Sequence, residues 1–206
     1  MTDAPTPSIA VWQRITQTPE IVDYFRGLFH KAAITVAETG EAFTVTHHGD
    51  RLTLADGLDP KADFTVPLRL ENIERLAAHT KDGRISRGES WRIAAVLFTP
   101  LTETTLRNPV LSTGWIRWLA GVEDRIHVHL VNPEGNDVAS HTLEYADGRW
   151  LVHAGLQGTA KRTYRLTPEQ SLDYQRKVFA AIQENSAGGW WRFARWYRDW
   201  REAVSA

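Results

Sequence analysis

His127 and His129 sit one residue apart in a short alternating segment, Glu134 follows five positions later, and His153 lies on a segment able to pair beside them. Two imidazoles, a carboxylate and a third imidazole offer the nitrogen and oxygen donors that iron, manganese or zinc prefer. The same spacing has a plainer use. Ile126, Val128 and Leu130 alternate with the histidines, as on any antiparallel strand with one face on a core and the other in water. Other chemistry finds little footing. The chain has no cysteine, hence no thiolate nucleophile, thiolate metal ligand or disulfide. No Gly-x-Ser-x-Gly elbow and no phosphate-binding glycine loop occurs. Ser90 and Ser112 have no neighbouring histidine, and His47-His48 stands at a turn before Gly49. The sequence therefore offers no catalytic residue and calls for no cofactor, and it favours binding over catalysis.

The elements that would position these groups follow from patterning. Thr18-Pro19-Glu20 opens a helix, with a capping hydroxyl, proline at the first turn and an acid at the positive end. Its apolar stripe of Ile21, Tyr24, Phe25, Leu28, Phe29 and Ala32 predicts a helix over 21–33. Strands are expected at 34–37, 43–47, 51–54 and 64–70, separated by Thr39-Gly40, Gly49-Asp50 and Asp56-Gly57. A helix near 71–80 stops at Asp82-Gly83, and 90–98 is a further helix that Pro100 would break or kink. Gly114–Gly121 reads as a short helical linker with Trp115, Trp118 and Leu119 on one side. A β-meander follows over 126–131, 138–145 and 149–154. A two-residue Asp147-Gly148 turn there pairs Tyr145 with Trp150, turning Leu143, Tyr145, Trp150 and Val152 to the core and Thr142, Glu144 and His153 away. After a strand at 162–166, Thr167-Pro168-Glu169-Gln170 caps a helix to about Asn185. The fold class is α/β in the α+β sense, and both halves run through hairpins into a capped apolar helix.

At 206 residues the chain can bury one large core or two small ones. Its 24 basic and 25 acidic residues nearly cancel, so no global field draws it to nucleic acid, which is not an expected partner. Without a signal-peptide pattern or an apolar run of membrane-spanning length, a cytoplasmic setting is the expectation.

The octet Asp59-Pro60-Lys61-Ala62-Asp63-Phe64-Thr65-Val66, set between an apolar helix with hairpins before it and a helix after it, resembles the sterol carrier protein 2 family over about Ile21 to Asn108. Gly83-Arg84-Ile85-Ser86-Arg87-Gly88-Glu89 looks like a shortened form of that family's glycine-flanked basic-aliphatic strand. The resemblance implies an apolar tunnel that binds or carries a hydrophobic small molecule of fatty acyl, sterol or polyprenoid type. Phe25, Leu28, Phe29, Trp91, Ala94, Leu97, Phe98 and Leu101 are suitable lining. It divides the chain into an arm at 1–17, an SCP2-like domain at 18–111, a meander with a helix at 112–187, and a tail at 188–206. Gly121, His127-x-His129 and Glu134 also resemble the first metal motif of the cupin family, although His141 stands where that motif closes on glycine.

The tail is a third constellation. On a helix, Trp190, Phe193, Ala194, Trp196, Tyr197 and Trp200 share one arc, and Arg192, Arg195, Arg198 and Asp199 gather opposite. Trp191 and Arg201 fall outside that division. Such a face suits a bilayer interface, a partner protein, a second subunit in a homodimer, or this protein's own sheet.

Overall fold

The computed structural model describes residues 8–80, 89 and 91–206. The 1–7 part of the predicted arm and the predicted Arg84–Gly88 strand lie outside the described residues. Mixed helix and sheet are present throughout, as the patterning requires. The chain forms two compact units that divide between Pro100 and Leu101, rather than at the predicted 111/112 boundary.

The first unit holds α1 (Ser8–Thr16), α2 (Pro19–Phe25), β1 (Lys31–Val36), β2 (Ala42–His47), β3 (Leu52–Asp56), β4 (Phe64–Leu68), α3 (Leu70–His79) and the start of α4 (Trp91–Leu106). The second holds the rest of α4, a 3-10 turn at Pro109–Ser112, α5 (Gly114–Ala120), β5 (Arg125–Val131), β6 (Asp137–Ala146), β7 (Arg149–Ala154), β8 (Arg162–Leu166), α6 (Pro168–Glu184) and α7 (Ala187–Val204).

Two expected elements change. The helix expected over 21–33 ends at Phe25, because Gly27 takes φ +72°, where a right-handed helix cannot continue. Ala32 instead joins Ile34, already expected in a strand, in a ladder opposite Val45 and Phe43 on one side and Phe64 and Val66 on the other. In the other direction, α4 runs through Pro100 to Leu106. Proline removes one helical donor there, while buried Val96, Leu97, Phe98, Leu101, Thr102 and Thr105 hold the turns on either side.

Each unit contains a four-stranded sheet of the same design. The orders are β3-β2-β1-β4 and β7-β6-β5-β8, with two antiparallel hairpins and one parallel crossover strand beside the first. The registers also agree. Val45 faces Leu54 in the first sheet, and Leu143 faces Val152 in the second, each partner 98 positions on. In the first strand the offset is 94, since Ala32 pairs Val45 and Phe64 where Ile126 pairs Leu143 and Arg162. The second unit's first hairpin therefore carries four more residues. At the offset of 98 the chain repeats Thr44 as Thr142, Gly57 as Gly155, Leu58 as Leu156, Ala62 as Ala160, Thr65 as Thr163 and Leu68 as Leu166.

Side-chain bonding repeats as well. Thr44 Oγ1 donates to the Gly57 carbonyl at 2.9 Å and accepts from the Asp59 amide at 2.9 Å. Thr142 Oγ1 does the same with Gly155 at 3.0 Å and Gln157 at 2.8 Å. At the next helix start, the Asn72 side chain accepts from the Arg69 amide and the Gln170 side chain from the Thr167 amide. The chain repeats one α+β sheet design in its two units, and the hairpin-to-helix order of both halves shows the same likeness in the sequence.

In the first unit the helices close one face of the sheet. Val11, Trp12 and Ile15 of α1 and Ile21, Val22 and Phe25 of α2 are buried with Phe43, Val45, Val66 and Leu68. Trp12 lies 6.0 Å from Phe43 between ring centroids, and Phe29 meets Phe64 edge-on at 5.9 Å. The predicted arm is thus partly core, because α1 contributes a large indole to it.

Candidate functional site

The second unit holds a partly open apolar cavity beneath its sheet, and the inward-facing residues of the β6–β7 hairpin form one wall. The Asp147-Gly148 turn has φ of 50° and 78°, the doubly left-handed pair of a tight hairpin. It sets Tyr145 opposite Trp150 and Leu143 opposite Val152, as the alternation predicts. Trp150 donates from Nε1 to the Leu111 carbonyl at 3.1 Å, and the Tyr145 hydroxyl donates to the Ser112 carbonyl at 3.0 Å. Those bonds fix the hairpin to the 3-10 turn and hold the indole over the cavity.

The remaining walls come from Leu106 at the end of α4, Leu111, Ile116 and Ala120 of α5, Val122, Ile126 of β5, Tyr174 of α6, and Phe193 and Tyr197 of α7. The cavity volume is about 40 Å³. Tyr174 and Tyr197 are the hydroxyl-bearing residues of the lining. Burial pushes the hydroxyls of Tyr174 and Tyr197 well above the usual phenol range, and neither provides an ionised group for acid-base chemistry near neutral pH. Burial also raises Tyr164, whose hydroxyl lies 3.3 Å from that of Tyr197. Deeper in the unit, Gln175 is 1% exposed and donates from Nε2 to Thr102 Oγ1 at 3.0 Å. An apolar wall with neutral hydroxyls can hold an uncharged, greasy group and offers no nucleophile and base in contact.

These phenols give a direct test. A tyrosine whose folded pKa is raised stabilises the fold fully below its unfolded value of about 10 and loses that contribution as the pH climbs beyond it. Absorbance at 295 nm should therefore show Tyr164, Tyr174 and Tyr197 ionising late, in one step with alkaline unfolding. Independent ionisation of all five tyrosines near pH 10 in the folded protein would contradict this burial.

The eight residues expected to line a tunnel are placed differently. Phe25, Leu28, Ala94, Leu97, Phe98 and Leu101 are buried, Phe29 and Trp91 are half-buried, and none of them lines this cavity. Phe29 instead fills a cluster with Phe25, Phe64 and His47. The cavity sits in the half for which the resemblance made no provision. Of its lining, strand alternation turns Ile126, Leu143 and Trp150 inward from sequence alone.

The histidines do share one sheet face, since His127 and His153 both stand opposite Thr142. Each is otherwise engaged. His127 Nε2 lies 3.2 Å from the Gln157 carbonyl, His129 Nδ1 2.7 Å from Asp137, and His153 Nε2 3.3 Å from Glu144. Glu144 is bonded by Arg125, which holds its carboxyl below the usual range. Glu134 is exposed in the turn. Among the described residues no group of three or more histidines and carboxylates gathers to hold a metal ion, so the alternative set of His127, His129, Glu134 and His153 is not assembled.

The tail is corrected too. Trp190, Phe193 and Tyr197 are 3, 5 and 6% exposed and belong to the second unit's core with Ile116, Leu119 and Val178. Trp196 and Trp200 are half-buried, stacked on each other at 5.6 Å, with Tyr174 5.6 Å from Trp200. The aromatic arc expected to meet a membrane or a partner is covered by this protein's own helices, because an apolar face of that width is most stable against a core already present. Among the described residues no helix is long and apolar enough to cross a membrane.

Comparison with protein-family models, with curated proteins and with solved structures finds no match to this chain.

Proposed function

We propose that this protein binds a hydrophobic small molecule without transforming it, and that the binding element is the cavity of the second unit. The supporting observation is the lining, which is aliphatic and aromatic apart from two neutral phenols. At about 40 Å³, the space is far below the roughly 300–1,000 Å³ of a pocket that engulfs a whole ligand. It accommodates the branched or methyl end of a fatty acyl, sterol or polyprenoid molecule, and a longer insertion requires Trp150 or Tyr174 to move aside. The likeness of the first half to the sterol carrier protein 2 family belongs to this proposal, as does a cytoplasmic setting.

Native mass spectrometry of the purified full chain, with solvent extraction of the same preparation, is the decisive measurement. A co-purifying apolar compound is expected, and Ala120→Leu, which fills the cavity, is expected to lose it while keeping the native circular dichroism spectrum. A preparation free of such compounds, whose tryptophan fluorescence is also unchanged by added oleate, would remove the proposal.

A further inference from the structure

The tryptophans that do face water are not those of the buried arc. Trp118 is 81% exposed, Trp191 56% and Trp115 47%, which is costly in solution unless something covers them. Trp115 and Trp118 lie three residues apart on α5, whose Ile116, Leu119 and Ala120 point into the core. Trp191 is on α7, seven residues before Arg198. Arg198 donates to the Leu119 carbonyl at 2.6 Å, and Arg201 donates to that of Gly121. The two helices therefore run side by side, and Trp191 and Arg198 occupy the flank of α7 turned toward α5.

The charge of α7 is net positive, with Arg192, Arg195, Arg198 and Arg201 against Asp199 and Glu202. Arg195 is exposed and has no carboxylate partner among the described residues, while Arg192 pairs with Glu184. Of the acids further along α7, Glu202 is held by Arg162 and Arg201, and Asp199 is exposed. We propose that the exposed indoles of Trp115, Trp118 and Trp191, with Arg195 and Arg198, form a docking face for an anionic phospholipid surface. Indole rests at headgroup depth, its ring among acyl chain ends and its N–H toward water, and guanidinium pairs with phosphate.

Area and charge both select this occupant. The three indoles expose roughly 450 Å² together, about half of the roughly 800 Å² that each partner buries in a stable protein interface. In a two-fold pairing of this chain the same net positive helix would meet itself. An anionic surface relieves that repulsion. The face is separate from the cavity, so loss of lipid docking and loss of ligand are distinguishable.

The experiment uses the full chain and vesicles of phosphatidylcholine alone or with 30% phosphatidylserine, read by co-sedimentation and by a blue shift of tryptophan emission. Binding to the anionic vesicles is expected. It should fall about tenfold or more in Trp115→Ser/Trp118→Ser/Trp191→Ser and several-fold in Arg195→Glu, with circular dichroism unchanged. Should the triple variant lose its fold, the single Trp118→Ser variant, at the most exposed position, carries the test. Absence of vesicle binding by the native chain, equal binding by native and variant, or a concentration-dependent dimer that the tryptophan variant abolishes would each overturn the proposal.

Discussion

Removing residues 188–206 is expected to unfold the second unit, with amide protection lost across β5 to β8 and kept across β1 to β4. Trp190, Phe193, Tyr197 and Val204 are each buried, and burying four such side chains stabilises on the order of 10 kcal/mol. A domain holds a net stability of roughly 5–15 kcal/mol. The loss reaches past apolar area. Arg198 and Arg201 satisfy the carbonyls of Leu119 and Gly121 at the end of α5, where the helix has no further partners of its own. Hydrogen exchange read by mass spectrometry distinguishes the outcomes. A truncated chain with protected β5 to β8 would mean that α7 is an appendage and would return its aromatic arc to the list of available surfaces. The same expectation governs lipid binding, which has to be tested on the full chain with point substitutions because truncation removes a core.

Strand positions and the second hairpin's parity were legible because alternation has a period of two and a two-residue turn leaves one register. That alone predicted Tyr145 opposite Trp150. The first helix was overextended for a physical reason. Leu28, Phe29 and Ala32 continue the helical spacing past Gly27, and spacing carries no information about a residue that adopts φ +72°. The tail's amphipathic face was plain, but the same face fits a membrane and a core, and only the position of α5 and α6 decides between them. The cavity was illegible beyond the alternating strands that carry Ile126, Leu143 and Trp150, since the rest of its lining converges from helices and loops spread between Leu106 and Tyr197. The shared order of hairpins and helix was visible, but the residue-level repeat was not. Thr44 and Thr142, Gly57 and Gly155, and Leu58 and Leu156 stand at one offset, but the four extra residues of the second unit's first hairpin break an alignment that begins at the first strand.

That repeat predicts matched effects at its two threonines. Thr44→Val and Thr142→Val are each expected to lower stability by about 1–3 kcal/mol. Valine keeps the branched shape that suits a strand. What it removes is a hydroxyl that bonds both a carbonyl and an amide of the segment doubling back after β3 or β7. Thr→Ser retains those bonds and should cost less at both sites. Each segment has a second tether, which keeps the two losses comparable. Lys31 Nζ bonds Asp59 at 2.5 Å in the first unit, and His127 meets the Gln157 carbonyl in the second. The tethers differ in their response to acid. The bond from Lys31, with one from the Lys61 amide, holds the Asp59 carboxyl below its usual range. Its contribution is therefore complete above about pH 4 and is lost as the pH falls through that lowered value. Urea unfolding at pH 7 should show similar penalties for the two valine variants. Below pH 4 the Thr44→Val chain should lose its remaining tether and unfold the β1 to β4 sheet at less urea than native does at that pH, by a wider margin than at pH 7. Unequal penalties at neutral pH, with one threonine silent, would show that the shared bonding pattern has no shared energetic role.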